Sequence, residues 1–207
     1  GDVTGHYQAG IFASNDGTSL TITTAAVSGG LAGITAQNNG SGALSIRSTG
    51  DVTGDDYFGI FARNSGTDLS ISAALVSGGR TGIYARNYGS GTLSITSTGR
   101  VTGGNYGIMA DNYSGTDLTI SAASVSGGMG IYARNRGAGD LLVIATGPVA
   151  GTTFGGIFTM NDSTGENLDI TVGDVTGATY GIDANNRGTG ATLVTATGTV
   201  TGRGGDG

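Results

Sequence analysis

The pattern Ile-x-Ala-x-Asn returns about every 25 residues along the whole chain, and a repeat of that length builds by stacking equivalent segments on one another. The isoleucines are Ile11, Ile34, Ile60, Ile83, Ile108, Ile131, Ile157 and Ile182. Four residues after each stands Asn15, Asn38, Asn64, Asn87, Asn112, Asn135, Asn161 or Asn186, without exception. The position between them is alanine in every copy but one, where it is Thr159. Apolar, small and amide residues therefore alternate with variable ones at the period of a β-strand.

Two further blocks keep step. Leu-x-Ile appears as Leu20/Ile22, Leu44/Ile46, Leu69/Ile71, Leu93/Ile95, Leu118/Ile120, Leu142/Ile144 and Leu168/Ile170, fading to Leu193/Thr195. A valine before a small residue and a glycine closes each unit, from Val3 and Val27 to Val175 and Val200, at intervals of 24 to 26 residues. Differences in length fall between the blocks, in segments such as Asn38-Asn39-Gly40-Ser41-Gly42 that have turn chemistry. Valine units ending Val-Thr-Gly (Val3, Val52, Val101) alternate with Val-Ser-Gly-Gly units (Val27, Val76, Val125), a super-repeat of 49 residues.

Three strands and three turns per coil predict an all-β chain: a single-stranded, right-handed parallel β-helix of about eight coils of ~25 residues, forming one domain over residues 1–207. The hand follows the crossover rule for parallel strands. At ~4.8 Å per coil the rod is on the order of 40 Å long. Stacking brings identical amides together, so the eight asparagines are expected to form a structural ladder, each amide bonded to the next. Both ends of the chain lie inside the repeat, which predicts a segment of a longer solenoid that continues, or stacks on copies of itself, end to end.

Composition removes several functions. There is no cysteine, hence no disulfide framework, thiolate metal site or cysteine nucleophile. Nine arginines face fifteen acids, for a net charge of −6, and no basic stripe marks a nucleic-acid partner. No apolar run reaches the ~20 residues of a membrane span. Catalytic, cofactor and metal sites are not expected: Asp16, Asp111, Asp162 and Asp183 fall on different coils, Asp55-Asp56 stands alone, and the single histidine, His6, has no nucleophile motif near it. The tail Gly204 to Gly207 resembles one partial copy of a calcium-binding repeat. Asn39, Asn112 and Asn161 match the N-glycosylation pattern, but the last two belong to the inward ladder.

The outward positions carry the functional expectation. Between Ile and Ala stand Phe12, Phe61, Tyr84, Met109, Tyr132 and Phe158, interrupted by Thr35 and closed by Asp183, and two residues on stand Arg63, Arg86 and Arg134 with Asp111 among them. Aromatics beside arginines form a candidate contact stripe for a host or bacterial surface protein, a glycan or another copy of the rod. The leucine strand offers hydroxyls outward instead, as in Thr21/Thr23, Ser70/Ser72, Ser94/Thr96 and Thr119/Ser121, interrupted by Arg47 and Asp169. Solvated-sheet propensity accounts for these better than ice binding does.

Runs such as Gly50-Asp51-Val52-Thr53-Gly54, Gly59-Ile60-Phe61-Ala62-Arg63-Asn64 and Leu69-Ser70-Ile71 resemble the repeats of autotransporter passenger domains, the secreted pectin-lyase-like β-helices of type V secretion. The resemblance covers essentially the whole chain. It implies export through a Gram-negative outer membrane, an extracellular or cell-surface rod, and adhesion or cell aggregation through its lateral faces. Within the same broad fold, a carbohydrate-active lyase or hydrolase is the alternative and a self-assembling structural fibre the third; the family's functions lie in loops and added domains, so the repeats speak for fold more than activity.

Overall fold

The computed structural model describes residues 1–204, and over them the chain is a parallel β-solenoid of about eight turns. No helix occurs among the described residues, so none is long and apolar enough to cross a membrane. Of the tail tetrapeptide only Gly204 is described; Gly205 to Gly207 lie outside the described residues.

Strands pair in parallel with their equivalents one coil away, in register. Ile60 lies opposite Ile83 and Asn64 opposite Asn87; Val52 lies opposite Val76 and Leu69 opposite Leu93. The isoleucine strands make one eight-stranded sheet, while valine and leucine strands make a fifteen-stranded one. The latter two merge because Leu93–Gly103 and Leu118–Gly127 each run unbroken from a leucine strand into the following valine strand. Alternation sends Ile60, Ala62, Leu69, Ile71 and Val76 inward, where none is more than 2% exposed. Each such aliphatic side chain contributes about 1.5–3 kcal/mol on burial. Because most inward columns repeat one residue type from coil to coil, each coil offers its neighbour a matching surface, and the core grows with length rather than with girth.

Close approach explains part of the glycine content that composition alone assigns to turns. A Cβ at Gly82 would lie 2.6 Å from Cγ1 of Val101 and 2.7 Å from the carbonyl oxygen of Gly107. The valine of the next coil occupies the space a side chain would need, and Gly33, Gly59 and Gly107 stand in the same relation to Val52, Val76 and Val125.

The structure corrects two registers in the leucine strand. Leu118 pairs with Leu141 and Ile120 with Val143, so Leu141 and Val143 point inward while Leu142 and Ile144 face out. In the final coil Leu168 pairs with Thr192 and Ile170 with Val194, which turns Leu193 outward, 58% exposed. A one-residue shift exchanges the two faces of a strand. In Leu141-Leu142-Val143-Ile144 both alternations are apolar, so the pattern itself cannot choose between them.

Candidate functional site

The asparagine column sits at the corner that follows the isoleucine strand. Six amide–amide bonds run Asn15, Asn38, Asn64, Asn87, Asn112, Asn135, Asn161, each Nδ2 donating to the Oδ1 one coil on, over 2.7–3.2 Å. From Asn38 to Asn161 the second Nδ2 proton goes to a carbonyl of the residue's own turn, as from Asn38 to Gly42 at 2.8 Å. Oδ1 also accepts from the backbone two residues ahead, as from Gly89 to Asn87 at 3.2 Å. Asn38 through Asn161 are fully buried, and this bonding leaves their polar atoms satisfied. Asn186 departs from the expected eight-membered ladder. The turn between Asn161 and Leu168 is longer than the others and Asn161 uses it to reach the carbonyl of Asn167; the Oδ1 of Asn186 accepts from the N–H of Gly188 and not from Asn161, and its Nδ2 donates to Glu166, Gly190 and Ala191 carbonyls.

On the outer side of the same strands the aromatic residues stack from coil to coil. Phe61 and Tyr84 lie 5.4 Å apart between ring centres with planes 6° apart, and Tyr132 and Phe158 lie 5.1 Å apart at 12°. Met109, opposite both Tyr84 and Tyr132, links the two pairs. Phe12 stands apart, 68% exposed, because Thr35 on the next coil offers no ring. Two adjoining apolar hollows, about 420 and 400 Å³, open at this gap and share Leu31, Ala32 and Thr35. Sequence inspection missed a second aromatic column two residues before the isoleucine. Phe58 packs 5.3 Å from Phe61 and 5.4 Å from Tyr84, and Tyr106 meets Tyr132 edge-on at 6.2 Å. The signal was there, since strands such as Phe58–Asn64 and Tyr106–Asn112 continue the alternation one step earlier.

Arginines flank this stripe. Arg63, Arg86, Asp111, Arg134 and Met160 form one outward column, paired strand to strand. Beside it Tyr88 and Tyr113, the residues after two ladder asparagines, stack at 4.4 Å; Arg63 lies over the ring of Tyr88 at 4.9 Å and Arg136 over that of Tyr113 at 4.2 Å. Arg86 lies 4.7 Å above Tyr84. Arg134 pairs with Asp162 at 2.8 Å and Arg136 approaches Asp111 at 3.5 Å. Asp111 is thus not the isolated acid its place in the sequence suggests. It is 3% exposed, and its Oδ1 accepts no hydrogen bond. Burial raises its carboxyl above the ordinary range, against the pull of Arg136, Arg86 and Arg134. Burial likewise raises the phenols of Tyr84 and Tyr132, so both stay protonated hydroxyls at neutral pH.

The remaining candidates disperse. Asp16 accepts from Asn39 at 3.0 Å, Asp183 accepts from Asn185, and His6, Asp55 and Asp56 are exposed on turns. Asn112 and Asn161 are fully buried in the ladder, whereas Asn39 is exposed. The hydroxyl face is further broken by Leu142 and Ile144, which lie opposite Thr119 and Ser121. Before the leucine strand, Asp68, Asp117, Asp140 and Asn167 each accept the backbone N–H of the equivalent position one coil on, a second ladder with no counterpart in the sequence motifs. No protein family, no curated protein and no solved structure matches this chain.

Proposed function

We propose that this chain is the rod of an extracellular or cell-surface protein of the autotransporter passenger type, exported across a Gram-negative outer membrane, which adheres to host or bacterial surfaces through the outer face of its isoleucine sheet. The supporting observation is the stacked aromatic stripe from Phe61 to Phe158 with arginines along its edge, on a strand whose inner side is already filled by Ile, Ala and Asn columns. Large apolar rings held in a row beside cations are the residue types that dominate contact energies at interfaces. Phe61, Tyr84 and Tyr132 changed together to serine should abolish adhesion or aggregation of cells displaying the rod while β-type circular dichroism persists. Retained adhesion in a folded triple variant sinks this function for the face.

A further inference from the structure

Granted that the isoleucine face is the working surface, its arginine edge narrows the chemistry of what lands there. We propose that Arg63 and Arg86 form a subsite for the carboxylates of an acidic glycan.

Asp111 supplies the internal precedent. It stands on the strand between those of Arg86 and Arg134, with Arg136 at 3.5 Å, so the column already accommodates one carboxylate among guanidinium groups. Before Asp111 the column reads Gln37, Arg63, Arg86, so that Arg63 has no acid beside it and Arg86 has one on a single side. Among the described residues neither Arg63 nor Arg86 makes an ion pair, although the chain as a whole is acidic. Both guanidinium groups lie over rings, Arg63 over Tyr88 and Arg86 over Tyr84, and Nε of Arg86 is buried without a hydrogen-bond partner. A planar fork held this way suits bidentate capture of a carboxylate.

The same features select a glycan over other anions. Two unpaired arginines on a rod of net charge −6 neutralise little of a phosphate backbone, whose binding depends on releasing many counterions. A glycan bearing one carboxylate per sugar or per disaccharide asks for few cations. Its hydroxyls can pair with the amide of Gln37 and the phenols of Tyr84 and Tyr88. Coil spacing of ~4.8 Å is also comparable to the length of one pyranose unit, so successive coils can meet successive sugars.

The test is binding of the 207-residue chain to an immobilised oligogalacturonate, which carries one carboxylate per sugar, with the carboxyl-methylated oligosaccharide, polyglutamate and duplex DNA in parallel. The acid form should bind and the ester should not. Arg63→Gln and Arg86→Gln should each weaken binding by roughly tenfold, the value of one charged hydrogen-bond pair. Arg47→Gln, on the leucine face, should leave it unchanged. Asp111→Asn should tighten binding, because Arg86 loses its internal competitor; a merely structural role for the column would not produce that gain. Absence of binding to the acid form, equal binding to the ester, preference for polyglutamate or DNA, or indifference to both arginine changes overturns the inference. Cell adhesion lost in the aromatic triple variant but intact in both arginine variants overturns this subsite alone and leaves the adhesive face standing.

Discussion

The isoleucine and leucine strands share a parallel register, an apolar interior and a coil length, yet only the leucine column loses its leading residue type at the end of the rod. All eight isoleucines pair with isoleucines, whereas the leucine column is leucine only as far as Leu168 and ends on Thr192. The isoleucine strand ends on an amide that must meet another amide one coil away, and a one-residue slip would cost both partners their bonds. The leucine strand ends on small residues such as Thr24, Ser48, Ala73 and Ala145, which match any neighbour of similar size. The amide bonds therefore penalise a slip as far as Asn161, while Ile157 and Ile182 keep register through apolar packing and backbone pairing.

Two pairs of substitutions probe that contrast. The largest effect should come from Leu141→Ala, a fully buried position, which should lower stability by about 2–5 kcal/mol, while Leu142→Ala costs less than about 1 kcal/mol. Denaturant unfolding of the two variants compares them directly, and the reverse ranking would mean the strand sits one residue out of the described register. Next, Asn87→Leu should cost about 1–3 kcal/mol by leaving one Nδ2 proton of Asn64, the Oδ1 of Asn112 and the N–H of Gly89 without partners. Asn186→Leu, which breaks no amide–amide bond, should cost clearly less in the same denaturant unfolding; equal losses would show that the amide–amide bonds do not carry the stabilisation.

The smallest effect concerns Asp111, which is faced by Arg86, Arg134 and Arg136 and by the phenols of Tyr84, Tyr113 and Tyr132. Its folded-state carboxyl titrates above the ordinary 3.8, so folding favours the neutral form. The stabilisation this brings is complete below the unfolded value and is lost as pH rises through the folded one. Asp111→Asn should therefore melt slightly higher than the parent at neutral pH, and the gap should close as the solution is acidified below about pH 4. A gap that widens in acid would show that the three arginines outweigh burial.

The inward half of the molecule was legible in the sequence because each inward residue packs on its own kind, so columns of Ile, Ala, Asn and Val had to recur. The outward half recurs loosely, being answerable to solvent or a partner. Phe12, Phe61, Tyr84, Met109, Tyr132 and Phe158 could be placed on one face by counting, but the stacking of Phe58 and Tyr106 on them depends on strands that run two residues beyond the motif. Asp111 looked isolated because its partners lie about 25 residues away along the chain and one coil away in space. Leu142 was misplaced for a different reason: two overlapping alternations are equally apolar, and only the neighbouring coils decide between them.

The six amide bonds of the asparagine ladder all point the same way. Each Nδ2 donates toward the next coil and each Oδ1 accepts from the previous one, and the bonds of the same amides to turn carbonyls and to glycine N–H groups leave no freedom to reverse any of them. Side-chain dipoles so aligned add head to tail, as peptide dipoles do along a helix, and polarise one another through a low-dielectric interior. The rod accordingly has an electrical direction as well as a chain direction, with the oxygen of Asn15 at its negative pole and successive amide hydrogens turned toward Asn161.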